Sequence, residues 1–276
     1  MRVSSSKILK LRKRTGVGIM ECKKALIETN GNFDDAINFL RKRGKKIAIN
    51  RSSFERKEGG VFSSISTDNS FGTIIGLKCE TDFLSKSSVF LDFLKQLSNH
   101  SLSCNNKQEF LSSFLNKRNV KDMIYEKISV VGEILELKIF ERVDSPFVIN
   151  YTHTNNKIAT LVGFSSKKGI NNSIAKDIAM HITAMNPIAI DENRIPDFIL
   201  KKEVEIIRSQ IENEKKIDTV TFEKIIKGKI RKFILENTLI HQKFIKNNKI
   251  TIQEYINQYN KNLKITLYKR VTLSDE

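Results

Sequence analysis

The sequence predicts an α+β protein: an N-terminal three-helix module, then a core of two related antiparallel sheet-plus-helix subdomains with a helical hairpin arm inserted in the second. Three patterns carry that prediction. Apolar residues recur at helical spacing through residues 1–44. Two β-rich stretches, each broken by a turn containing Asn, are each followed by an amphipathic helix. Between Phe198 and Phe233 the periodicity is that of two helices.

In the first module, Ile8 and Leu11 precede a turn built on Gly16 and Gly18, whose backbone freedom lets the chain reverse before Ile19. Ile19, Cys22, Ala25, Leu26 and Thr29 then mark one inward stripe. Gly31 stops that helix and Asn32 starts the next, with Asp34 and Asp35 well placed in its first turn. Phe33, Ala36, Ile37 and Leu40 give the second stripe. After Arg43-Gly44 the helical pattern stops, and a basic linker is expected over 45–58, ending at Gly59-Gly60.

A first subdomain is expected over 59–142. Val61–Ser66 and Phe71–Cys79 read as strands joined by an Asp68-Asn69 turn. Ser87–Leu97 returns to helical spacing, with Val89, Phe90, Phe93, Leu94 and Leu97 inward. A polar helix is expected over Gln108–Lys117, and Val130–Phe140 alternates as a strand. The second subdomain takes 143–190 and 238–276. Phe147–Tyr151 and Lys157–Phe164 form a hairpin around Asn155-Asn156. Asn171 or Asn172 caps a helix whose inner face is Ile174, Ile178, His181, Ile182 and Met185. Gly72–Leu77 and Ala159–Phe164 share one pattern, a sign of repetition. The arm, 191–237, pairs Val204, Ile207 and Ile211 with Phe222, Ile225 and Ile226. A helix over Thr251–Tyr259 and a strand over Leu263–Val271 complete the chain.

Composition excludes several classes. No apolar run approaches the roughly 18 residues a membrane span needs. Met1–Lys10 lacks the apolar stretch of a secretory signal, and a module starting near Lys7 leaves no room for a transit peptide. Cys22, Cys79 and Cys104 lack paired spacing, which argues against a disulfide framework or zinc site and fits a reducing cytoplasm. The net charge of +17 raises nucleic-acid binding, or association with the ribosome, as the alternative function. Against it, the lysines are spread along the chain and no aromatic-interleaved patch occurs. Compositional bias explains the charge better, and nucleic acid is not the expected partner.

Four further segments stand beside Thr15–Leu26: Cys79-Glu80-Thr81-Asp82-Phe83, Asp177–Ile182 ending at Pro187, Lys229–Phe233, and Gln242-Lys243-Phe244. In that order, from about Lys7 to Val271, they resemble bacterial translation elongation factor Ts, the family that exchanges nucleotide on elongation factor Tu. The resemblance implies a UBA-like first module and a coiled-coil-like arm, which in some members serves dimerisation, so a homodimer is a possible state. Its basic charge departs from a family more often acidic or near neutral.

The resemblance also implies partner-contact residues. Taken alone, Asp82 reads as a helix cap and Phe83 as core; in the family the Thr81-Asp82-Phe83 loop is exposed. Its aromatic ring wedges between two helices of the partner's GTPase domain that help organise the Mg²⁺ site. Met20 and Lys23 lie on the lip of the first module, where contact stands level with core filler for one and solvated surface for the other. His153, in Tyr151-Thr152-His153, aligns with a partner-facing histidine but fits a plain structural role equally. Val131 and Gly132 align with an apolar-Gly pair that approaches the partner, and Phe244 and Ile245 with a C-terminal contact, although Phe244 fits the core as well. Lys243 and Lys246 depart from the pattern there, which puts contact through Lys246 in question. His181 reads as core.

No catalytic constellation is present. The sequence has no P-loop glycine cradle, no GxSxG and no supported Cys-His pair. His100, His153, His181 and His241 are scattered without ligand spacing, so no metal or cofactor is expected. The chain is read as a binding protein rather than an enzyme.

Overall fold

The computed structural model of the chain describes residues 3–50, 56–212 and 219–273. It divides into two compact units. One comprises Met1–Arg142 with Thr152–Ala159 and Val271–Glu276; the other comprises Val143–Tyr151 with Thr160–Arg270.

The first unit opens with α1 (Ser5–Thr15), α2 (Ile19–Glu28) and α3 (Phe33–Asn50). Ser4 caps α1 by accepting from the Lys7 amide, and Arg12, Lys13 and Arg14 sit at the negative end of its dipole. Gly16 closes α1 in the left-handed region at φ +74°. Ile8, Leu11, Val17, Cys22, Ala25, Leu26, Ala36 and Leu40 form one buried cluster, as the periodicity predicts. Ile19 departs from it at 45% exposed. It is the first residue of α2, and its side chain leans back past the packed turn. Asn32 Oδ1 accepts from the amides of Asp34 and Asp35, the expected cap.

Next come β1 (Glu58–Ile65), β2 (Phe71–Cys79), α4 (Asp82–Ser85), α5 (Ser88–Ser101), α6 (Lys107–Ser112), β3 (Phe114–Leu115), β4 (Arg118–Asn119), α7 (Val120–Val131) and β5 (Glu136–Asp144). β1 and β2 are antiparallel in the register Val61 opposite Gly76, and the sheet order is β1-β2-β5. Phe90, Phe93, Leu94 and Leu97 of α5 pack with Ile75 and Leu77 of β2 in the main core. Val89 does not join them and is 45% exposed, because it lies one position before the buried Phe90 and is turned about 100° from it around the helix.

Three expectations here are corrected. The helix over Gln108–Lys117 ends at Ser112. Asn116 and Lys117 both take positive φ, 51° and 63°, and turn the chain into the small β3–β4 hairpin. The strand expected over Val130–Phe140 begins only at Glu136, since Val130 and Val131 end α7, a helix the alternation concealed. Asn119 caps α7 on the Lys121 amide, and Gly132 closes it at φ +77°.

The third correction concerns Gly44, which does not end α3. The helix runs to Asn50, so the linker expected from residue 45 begins no earlier than 51; residues 51–55 lie outside those described. A glycine in mid-helix reads as a breaker in one dimension, but here it is a crossing point. A Cβ at residue 44 would stand 2.0 Å from the Tyr125 carbonyl oxygen of α7 and 2.5 Å from Ser129 Oγ. Ser129 Oγ donates to the Leu40 carbonyl, and the Arg41 guanidinium pairs with Glu126 and Asp122. The first module is thus sealed onto α7.

The second unit is built mainly from β6 (Phe147–Thr152), β7 (Ile158–Phe164), α8 (Asn172–Met185), a 3₁₀ turn at Glu192–Arg194, α9 (Asp197–Glu212), α10 (Thr219–Asn237), β8 (Lys243–Phe244), β9 (Asn247–Thr251), α11 (Ile252–Asn257) and β10 (Ile265–Thr272), with Thr152, Ile158, Ala159, Val271 and Thr272 at the strand ends counted in the first. Its three-stranded sheet runs β10-β7-β6. Asn171 caps α8. The buried face of α8 is Ala175, Ile178, Ala179, His181, Ile182 and Thr183, so the stripe is rotated from the expected one. Ile174 is half-buried and Met185 is 45% exposed, at the last turn before Asn186 ends the helix at φ +44°. In the arm, Ile207, Ile211 and Ile226 pack with Val204, Phe222, Ile225 and Ile230. Residues 213–218, within the expected arm, lie outside the described residues. Thr251 and Glu254 make a reciprocal capping box for α11.

The internal repeat extends to side chains. β2 and β7 are each the central strand of three. Thr73 bonds the Ser101 hydroxyl of α5, and its counterpart Thr160 bonds the Thr183 hydroxyl of α8. A Cβ at Gly76 would meet Ile139 at 2.9 Å, and one at the matching Gly163 would meet Ser145 and Thr266 at 2.8 Å. In both halves a threonine anchors the covering helix and a glycine admits a neighbouring side chain against the backbone.

His181 is fully buried in α8. Its Nδ1 accepts from the Ile245 amide at 3.2 Å, so Nε2 carries the proton donated to Gln242 Oε1 at 3.0 Å. Burial lowers its pKa below the ordinary histidine value, outweighing the Gln242 bond.

Gly44→Ala destabilises the protein by about 1–3 kcal/mol despite the better helix propensity of alanine, because α3 and α7 are forced apart. Gly228→Ala in α10, where a Cβ meets no described atom within 4 Å, stabilises by up to about 1 kcal/mol. Denaturant midpoints separate the two signs. For His181, the unfolded chain takes up a proton that the folded chain refuses. Stability is therefore full above about pH 6.5 and declines as pH falls through that value, by at most about 1.4 kcal/mol per pH unit. In His181→Asn this part of the acid-side slope disappears from pH-dependent denaturation curves.

Candidate functional site

β2 runs buried from Gly72 to Cys79, then the chain emerges at Glu80 and makes the single turn of α4. Thr81 caps that turn: its Oγ1 accepts from the Leu84 amide at 3.2 Å. Successive residues in a helical turn point about 100° apart, so Leu84 packs against the core while Phe83 points away from it. Phe83 is 85% exposed, the most exposed of the large apolar side chains in the described structure. Asp82 holds Lys86 at 2.7 Å, a bond that lowers its carboxyl pKa and braces the turn along its outer edge.

The loop is held from beneath by a second loop. Glu133, two residues past the end of α7, accepts from the Thr81 amide at 3.0 Å and from Thr81 Oγ1 at 2.7 Å. In return Glu80 Oε1 accepts from the Ile134 amide at 2.9 Å. The Cys79 thiol donates to the Thr81 carbonyl at 3.3 Å. Burial, reinforced by the Glu133 carboxylate, pushes its pKa up to about 12 and keeps that donor protonated. Thus two of the expected elements, Thr81–Phe83 and Val131-Gly132, are brought together in the first unit. Gly132 is exposed, while Val131 is half-buried against the main core.

Met20 and Lys23 are both exposed on α2, Met20 at 72%. Their module meets α7 through Val130, which packs into its cluster beside Gly16. One helix therefore carries the module at its flank and the Glu133 bond at its end. His153 is half-buried in the β6–β7 turn, where its amide donates to the Ile158 carbonyl at 2.9 Å.

In the second unit the C-terminal element divides. Phe244 is 3% exposed, stacked on Tyr255 with ring centroids 4.2 Å apart. That makes it core, a correction to its place among surface contacts. Ile245 beside it is half exposed, and its amide is held by His181. Lys246 is drawn to Asp177 at 2.7 Å, an anchor that also receives the Tyr255 hydroxyl.

Sequence reasoning missed Glu80 and Glu133. The signal was available, since each carboxylate directly adjoins an expected contact, but the pairing spans residues far apart in sequence. Among the described residues no group of three or more His, Cys, Asp or Glu side chains is placed to hold a metal ion. Nor is any described helix long and apolar enough to cross a membrane.

The family model "Elongation factor TS" matches residues 80–275. Full-length relatives named elongation factor Ts agree. That of Flavobacterium psychrophilum is 40% identical over 271 residues, covering 98% of both chains. That of Christiangramia forsetii is 37% identical over 272 residues and 99% of both. That of Azobacteroides pseudotrichonymphae is 36% identical over 280 residues and the whole of both. With a motif order, an α+β architecture and relatives that all coincide, the chain belongs to the elongation factor Ts family and serves translation elongation in protein biosynthesis.

Proposed function

We propose that this chain is a guanine-nucleotide exchange factor for elongation factor Tu, acting in the cytoplasm. It binds the GDP form of that GTPase, disturbs the site that holds Mg²⁺ and nucleotide, and leaves the partner open to GTP. The observation that carries this reading is Phe83, a ring 85% exposed on a loop whose backbone is tied down. Burying a phenylalanine gains about 1.5–3 kcal/mol. The free chain leaves that free energy unused, and an apolar cleft between two partner helices would realise it.

The mechanism is reciprocal coupling. A factor that grips the nucleotide-free partner more tightly than the GDP form must weaken GDP by the same ratio. Phe83 supplies the wedge, with Asp82 and Thr81 presenting it. Met20 and Lys23 on the first module, and Val131, Gly132, His153 and Ile245 elsewhere, supply contacts that hold the factor in place. The chain itself makes and breaks no covalent bond, so it is no enzyme in the chemical sense.

Phe83→Ala therefore weakens binding to nucleotide-free elongation factor Tu by about 2 kcal/mol, or roughly thirtyfold. It slows GDP release while leaving the melting temperature of the factor nearly unchanged, since the ring is 85% exposed in the free chain. Displacement of fluorescent GDP from elongation factor Tu measures this directly. An exchange rate equal to that of the unmodified chain removes the wedge.

A further inference from the structure

An apolar ring beside a hydrophobic core has a strong tendency to roll inward, and Leu84, its neighbour, does pack there. Rotating the turn by one helical position would exchange the two. Something must make that rotation costly in the free chain. We infer that Glu133 and Glu80 are positioning residues of the exchange site, forming a reciprocal clasp that holds Phe83 outward before the partner arrives. This rests on the exchange reading above and extends it to residues outside the expected contact set.

Every polar group of Thr81 is engaged. Its amide and hydroxyl donate to the two oxygens of Glu133, its carbonyl receives the Cys79 thiol and the Ser85 amide, and its hydroxyl oxygen receives the Leu84 amide. Turning the loop would break several of these bonds at once. The Glu80–Ile134 bond closes the same seam from the other side, so that each loop grips the backbone of the other. Hydrogen bonds to an ionised group contribute more than neutral ones. Preorganisation of this kind improves association by removing the ordering cost at the moment of contact.

The test is a double-mutant cycle on catalysed release of fluorescent GDP from elongation factor Tu. Glu133→Ala, folded as judged by its melting curve, slows release about five- to tenfold. Glu133→Gln restores most of the rate, because its amide can accept from the Thr81 N–H and donate to Oγ1. In the Phe83→Ala background the same Glu133→Ala change alters the rate less than about twofold, since the group it positions is gone. Should Glu133→Ala unfold the chain, Glu80→Ala opens the other half of the clasp and enters the same cycle with the same expectations. A normal rate for the Glu133 variant, with Phe83→Ala slow, overturns the clasp and spares the exchange reading. Full additivity of the two changes, or no rescue by glutamine, also overturns it. A normal rate for Phe83→Ala overturns the exchange reading and the clasp together.

Discussion

The two hydrogen bonds from Thr81 to Glu133 are the constraint on which the first unit's exposed surface depends. They join the end of β2 to the end of α7, two elements far apart in sequence. Because α7 also carries the first helical module through Gly44, Ser129 and Arg41, its orientation sets both surfaces at once. A helix that ends on a left-handed glycine delivers the following residue at a defined angle. Here Gly132 delivers Glu133 to the underside of the Phe83 loop.

Hydrophobic burial and loop geometry oppose one another at that loop. Burial favours turning Phe83 inward, worth a few kcal/mol. Each hydrogen bond contributes about 1 kcal/mol net, but several acting on one residue break together. The balance leaves a large apolar group in water on a rigid support. That combination suits recognition, since a preordered anchor forfeits little entropy on binding. It also confines the cost to a single residue, because Leu84 and the buried end of β2 keep the core closed beneath it.

The two subdomains reach similar sheets through matched devices. A threonine of the central strand bonds a hydroxyl of the covering helix, and a glycine three residues on makes room for a side chain from the next strand. They differ in what is attached. The first unit bears the helical module and the Phe83 loop, whereas the second bears the α9–α10 arm and the Phe244–Tyr255 stack. In the second, a neutral buried His181 does for Ile245 what Glu133 does for Thr81, fixing a surface residue through its backbone amide.

Local rules account for most elements. The caps at Asn32, Ser87 and Asn171, the β1–β2 hairpin and the facing isoleucines of the arm all rest on interactions within a few residues or on simple periodicity. Where local reading misled, a distant element decided. Gly44 is a breaker by propensity and a helix interior because α7 crosses there. Val130–Val131 alternates like a strand and ends a helix because the core lies beneath Ile124 and Ile128. Likewise, the sequence by itself determined the α+β class, the motif order and the residues Thr81, Asp82 and Phe83, since these follow from side-chain type and spacing. Only the tertiary structure decided that Phe244 points inward, that Phe83 points outward and that Glu133 and Glu80 grip the backbones of Thr81 and Ile134. At the Phe83 loop the outcome turns on which backbone amides meet which carboxylates across more than fifty residues, and pairing at that distance leaves no periodic trace in the chain.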